Sequence, residues 1–106
     1  MNDPDAEGYR SADGFEWDPG KSDANLRKHG IDFEEAAGVF YGPHIVFRSD
    51  RRNEERWLAV GEAETRIIAV AFTWRGNSIR IISARRARKD EERTYRNQTL
   101  GRTPEG

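Results

Sequence analysis

Residues 65–86, "TRIIAVAFTWRGNSIRIISARR", decide the fold. Two apolar runs, rich in β-branched and aromatic side chains, flank Gly76-Asn77, a pair suited to a tight turn. The spacing predicts strands over 65–74 and 78–85, joined as an antiparallel hairpin. Two more strands precede it, at 44–48 and 55–62, with the short connection "GEAET" making a second hairpin. Neighbours in this set are expected to be antiparallel.

Both sides of the strand block read as helical. "GFEWD" forms a short first strand, after which Asp18 caps and Pro19 opens the helix "PGKSDANLRKH", stopped by Gly30. Ala24, Leu26 and the stem of Lys28 give it a narrow apolar stripe for the sheet. Asp32 and Glu35 have capping-box spacing ahead of "FEEAAGVF", where Phe33, Ala36, Ala37 and Phe40 recur at helical intervals. This second helix is expected to be the better packed. "RKDEERTYRNQ" closes the chain with a helix rich in opposite charges at i, i+3 and i, i+4. The order β-α-α-β-β-β-β-α predicts an α+β domain over 14–98, a small antiparallel sheet covered mainly on one face. Residues 1–13 and 99–106 are polar and read as a disordered extension and a flexible tail.

Several function classes drop out on composition. The chain has 106 residues, enough for one ordinary domain. Its longest apolar run, Ile67 to Phe72, is far short of the roughly 20 residues a membrane helix needs. The acidic N-terminus does not resemble a secretory signal, so the cytoplasm is the expected location. There is no cysteine, hence no disulfide frame, thiol nucleophile or thiolate site. His29, His44 and scattered carboxylates match no common metal spacing, and neither a metal nor another cofactor is expected.

A net charge of −1 conceals a local asymmetry. Residues 65–89 carry seven basic groups, Arg66, Arg75, Arg80, Arg85, Arg86, Arg88 and Lys89, and no acidic one. Guanidinium forks match phosphate oxygens, so a local field of this kind suits a phosphate ligand. Strand alternation would place Arg80, Ile82 and Ala84 on one face and Ile79, Ile81, Ser83 and Arg85 on the other. The competing explanation is that these arginines pair with carboxylates of the second and last helices. Trp57 and Trp74 could stack on bases, or simply fill the core. His29 ends a helix, and histidine is the side chain that exchanges protons near neutral pH, so it is either an acid-base group or a helix-end cation.

The ordered pieces "FEWDPGKSDANLRKHGIDFEEAAGVF", "ERWLAVG" and "IRIISARRARKDEERTYRN" resemble the BrnT family, ribonuclease toxins of bacterial type II toxin-antitoxin modules. The likeness runs over approximately residues 15–97. It implies a RelE-like ribonuclease fold, RNA as substrate, and neutralisation by a BrnA-type antitoxin with a ribbon-helix-helix DNA-binding part. It further implies a heterotetramer of two toxin and two antitoxin chains that contacts DNA through the antitoxin.

Cleavage of RNA without a metal needs an acceptor for the 2'-hydroxyl proton, donors for the charge on the pentavalent phosphate, and a proton for the leaving oxygen. His29 is the expected acid-base group. Arg56, Arg80, Arg85 and Arg86 are the expected phosphate and transition-state contacts. Arg66, Trp74, Arg75, Arg88 and Lys89 are expected to bind flanking RNA. A non-catalytic module using the same basic surface to bind nucleic acid or protein is the alternative. Direct DNA recognition is weaker, since no helix-turn-helix pattern is present.

Overall fold

A computed structural model of the chain describes residues 14–99. Strands β1 (Gly14–Glu16), β2 (His44–Arg48), β3 (Trp57–Ala63), β4 (Arg66–Arg75) and β5 (Ser78–Arg86) form one sheet in the order β1-β5-β4-β3-β2. Helices α1 (Pro19–His29) and α2 (Phe33–Ala37) follow β1, a 3-10 turn spans Gly38–Tyr41, and α3 (Lys89–Thr99) closes the domain. The expected element order holds. Of the tail expected at 99–106, Thr99 instead ends α3, and the rest of it, like the extension expected at 1–13, lies outside the described residues.

Helix ends follow the local signals. Asp18 accepts the Gly20 N–H at 2.8 Å, and Gly30 stops α1 in the left-handed region at φ 73°. Asp32 accepts the Glu35 N–H at 2.8 Å, while the Glu35 carboxylate turns away to Arg66 at 2.9 Å. The box is therefore half used, because an ion pair across the fold takes its second member. As expected, α2 packs more deeply than α1: Phe33, Ala36 and Ala37 are buried.

Against the stripe expected of it, α1 meets the sheet with polar side chains. Ser22 and Asn25 are its buried residues, whereas Leu26 is 47% exposed. Asn25 donates to the carbonyls of Ile31 and Ala84 at 2.7 and 2.9 Å and accepts the Ala84 N–H at 3.2 Å. Ser22 Oγ accepts the Phe33 N–H at 2.9 Å. A buried amide is stable only when so paired. Hydrogen bonding, more than apolar contact, seats this helix.

Two features of the sheet depart from expectation. The hairpins β2–β3, β3–β4 and β4–β5 are antiparallel, but β1 joins β5 in parallel, so the sheet is mixed. The helices carry the chain from β1 to β2 at the far edge of the sheet, and the three hairpins bring it back so that β5 lies beside β1 in the same direction. The second departure is a bulge in β5: Phe72 pairs with Ile81 and Ala71 with Ser83, leaving Ile82 as the extra residue. Ile79, Ile81 and Ala84 consequently share the core with Ile31, Phe33, Val39, Ala59, Ile68, Val70 and Phe72 under α1 and α2. Arg80, Ser83 and Arg85 share the opposite face. Strict alternation had put Arg80 with Ala84 and Arg85 with Ile79.

That opposite face is only partly covered. α3 lies over β2 and β3, where Tyr95 is buried with Ile45, Val60 and Ala69. Burying one such side chain contributes about 2 kcal/mol. Beside α3, the same face opens into a cleft.

Candidate active site

The open part of the α3 face is a cleft of about 500 Å³. Its floor is apolar, made by Phe47, Leu58, Ala69 and Ala71, and its walls include Arg51, Arg56, Arg85 and Arg88, with Asp90, Glu91, Thr94, Ser49 and Ser83. The walls come from two stretches far apart in sequence. The end of β5 carries Arg85 and the link into α3 carries Arg88, while the β2–β3 loop carries Arg51 and Arg56. That loop closes on itself: Arg51 and Glu54 exchange backbone hydrogen bonds at 3.0 and 2.8 Å around Arg52 and Asn53, both at positive φ.

Glu91, in the first turn of α3, organises one wall. Its Oε1 accepts from Arg85 Nη1 at 2.9 Å and from the Arg88 N–H at 2.8 Å, and its Oε2 accepts from Arg85 Nη2 at 2.9 Å. The Arg85 hydrogen bonds hold the Glu91 carboxyl below its ordinary value against the opposing push of burial, with the Arg88 N–H adding to the effect. In turn Glu91 raises the Arg85 guanidinium above its ordinary value. Arg56 is paired with Glu54 at 2.9 Å, within its own loop. Arg51 and Arg88 form no side-chain ion pair among the described residues; Asp90, likewise outside the ion pairs, offsets one of them, so the cleft keeps a small positive excess.

Of the ten residues anticipated from the sequence, the cleft gathers Arg56, Arg85 and Arg88. The others are distributed elsewhere. Arg80 lies five residues before Arg85, on the order of 15 Å along the strand, and pairs with Glu16 of β1 at 3.2 Å. Arg75 shares that carboxylate at 3.5 Å. Arg66 caps the end of α1 through the Gly30 carbonyl at 3.0 Å and pairs with Glu35. Arg86 pairs in register with Ile68, on the helix-covered face, and is exposed. His29 is exposed at the end of α1, with the sheet between its helix and the cleft. Trp74 packs edge-on against Phe72 at 6.4 Å, on the helix side, and Lys89 is exposed at the start of α3. Trp57 stacks on Phe72 and carries Arg48 over its ring at 5.1 Å.

The carboxylate pairing anticipated as the competing explanation is therefore present, to Glu35 of α2 and Glu91 of α3. What it leaves is the cleft. Sequence reasoning missed Arg51, in "FRSDRRNEER", because the acids around it made the segment look neutral. It missed Glu91 as well. The usable signal was Glu91 standing three residues after Arg88 at a helix start, the position from which a carboxylate reaches back to the cap N–H. No three His, Asp or Glu side chains gather as a metal site among the described residues.

Comparison with known proteins agrees with this architecture. The family described as "ribonuclease toxin, BrnT, of type II toxin-antitoxin system" matches residues 17–91. Among solved structures the fold is similar to that of the Brucella abortus ribonuclease toxin BrnT. The two are 33% identical, the match covers 72% of this chain and 97% of that one, and the TM-score is 0.60. No curated protein matches the chain.

Proposed function

Because this chain belongs to the BrnT family of ribonuclease toxins of type II toxin-antitoxin systems, we propose that the arginine-lined cleft is where it cuts RNA. The carrying observation is the convergence of Arg51 and Arg56, from the β2–β3 loop, with Arg85 and Arg88, from the end of β5 and the link after it, on one cleft of about 500 Å³. The reaction is metal-independent endonucleolytic cleavage. A ribose 2'-oxygen attacks the adjacent phosphorus, and the strand ends in a 2',3'-cyclic phosphate and a 5'-hydroxyl.

Arg88 and Arg51 bind the backbone phosphates, since neither is committed to a carboxylate. Arg85 presents its fork to the scissile phosphate as negative charge builds there. Preorganised charge stabilisation of this kind is commonly the largest catalytic contribution. The apolar floor supplies a poorly hydrated surface on which those guanidinium groups act more strongly than they would in water. Arg80, Arg75 and Arg66 are paired away from the cleft and serve the fold first.

A type II toxin is silenced by a protein, and a BrnA-type antitoxin with a ribbon-helix-helix part fits that role, in a complex of two toxins and two antitoxins acting in the cytoplasm. The two cations outside ion pairs, Arg51 and Arg88, support an antitoxin that offers carboxylates. Incubating the purified protein with RNA in EDTA tests the catalytic reading. Cleavage with cyclic phosphate ends, reduced strongly by Arg88→Ala in a folded protein, is the expected result. Intact RNA would mean a binding module.

A further inference from the structure

The cleft as described supplies phosphate donors but no histidine, and the reaction needs a proton acceptor. Glu91 is the buried carboxylate lining it, 9% exposed. A carboxylate has about four acceptor sites. Three are engaged, two on Oε1 by Arg85 and the Arg88 N–H and one on Oε2 by Arg85. One site on Oε2 is left.

We propose that Glu91 is the general base of the cleavage, and that Arg85 is a lock on it which the substrate opens. The inference rests on the cleft being the RNA site. A guanidinium fork fits a phosphate as well as it fits a carboxylate, so the scissile phosphate competes with Glu91 for Arg85. As the fork moves to phosphate, Glu91 loses the strongest interaction holding it in its anionic form, while its burial remains. Its basicity rises when substrate is in place. In the free protein the same carboxylate is held inert.

Glu91 Oε2 then takes the 2'-hydroxyl proton as the 2'-oxygen bonds to phosphorus and the bond from phosphorus to the 5'-oxygen breaks. The 5'-oxygen takes a proton from solvent water, and the hydroxide so formed recovers the proton from Glu91. Nothing is oxidised or reduced. The charged groups that line the cleft with Glu91 are Arg85 from β5, Arg88 from the link, Arg56, Arg51 and Arg48 from the end of β2 and its loop, and Asp90 from its own helix. Arg48 is paired with Asp50 and Glu55 and Arg56 with Glu54, so the cations that act on Glu91 are Arg85 and Arg88, and they favour returning the protonated base to the anion.

The test is the pH dependence of cleavage by the intact protein. The acid limb of kcat/KM reports the free protein and that of kcat the complex. Release of Arg85 places the kcat limb at higher pH than the kcat/KM limb. Glu91→Gln lowers the rate by about 10²–10⁴-fold and flattens the limb, and Glu91→Asp restores part of both. A folded Glu91→Gln protein that keeps the limb, or that cleaves within tenfold of the parent, overturns the assignment and leaves the cleft reading standing. Should that variant not fold, a parent kcat limb at or below the kcat/KM limb overturns it equally. A parent protein that leaves RNA intact overturns both.

Discussion

The Asn25 carboxamide completes a two-bond ring with the backbone of Ala84, donating to its carbonyl and accepting its N–H. β1 pairs with β5 only through Arg80. From there on, an amide side chain does what a neighbouring strand would do, satisfying an edge that would otherwise be buried unpaired beneath α1.

Asn25→Ala strands three backbone groups, at Ala84 and Ile31, in a buried position. Each orphaned group costs about 1–3 kcal/mol, so the expected loss is about 3 kcal/mol or more. For a domain this size the melting temperature falls by more than about 10 °C. Thermal and urea unfolding measure it, and a loss under about 1 kcal/mol would show the ring to be dispensable.

Arg52 and Asn53 occupy the two central positions of the Arg51–Glu54 turn at φ 49° and 68°. Those values suit Asn-Gly and strain a long side chain. The double change Arg52→Asn, Asn53→Gly is expected to raise stability by about 1 kcal/mol, read as a melting shift of about 4–8 °C.

Arg88 and Arg96 stand on or beside the same helix but differ in setting. Arg96 is paired with Glu92 on the outer surface, outside the cleft. Arg88→Ala should weaken binding of a non-cleavable single-stranded RNA and reduce the slope of log K against log salt by about 0.7. Arg96→Ala should leave that slope unchanged. Equal slopes for the two variants would remove Arg88 from the phosphate contacts.

Stability should depend on pH through Glu91, whose folded-state value is depressed chiefly by Arg85. A depressed carboxyl contributes stability that is complete above its unfolded value, about 4.3, and is lost as pH falls through the folded value. Glu91→Gln should therefore cost about 2 kcal/mol at neutral pH, and the gap to the parent should narrow in strong acid. Urea unfolding at the two pH values measures it. A gap independent of pH would mean that Glu91 contributes by shape alone.

What could be read from the sequence was local. Asp18, Pro19 and Gly30 bound α1 to the residue, and Gly76-Asn77 joins β4 to β5, because each signal acts within a few bonds of itself. What escaped depends on partners distant in the chain. Leu26 looked like the inward residue of α1, but the buried positions are Ser22 and Asn25, chosen by carbonyls at Ile31 and Ala84. Arg80, Arg85 and Arg86 were expected to serve one phosphate. Alternation does set Arg86 on the other face from Arg85, but pairing with Glu16 and with Glu91 is what separates Arg80 from Arg85 on the face they share. The family motifs, by contrast, were legible without any of this, and they led to the same ribonuclease toxins that the fold does.

The bulge at Ile82 makes β5 a strand with two independent phases. Its first half is indexed by the apolar layer beneath the helices, its second by Asn25 and the cleft, and the spare residue absorbs the mismatch. Excising Ile82 would therefore straighten the backbone while leaving Arg80, Ala84 and Arg85 pointing as they do now. A one-residue deletion in the middle of a buried sheet, ordinarily ruinous, has here a place where it can be tolerated.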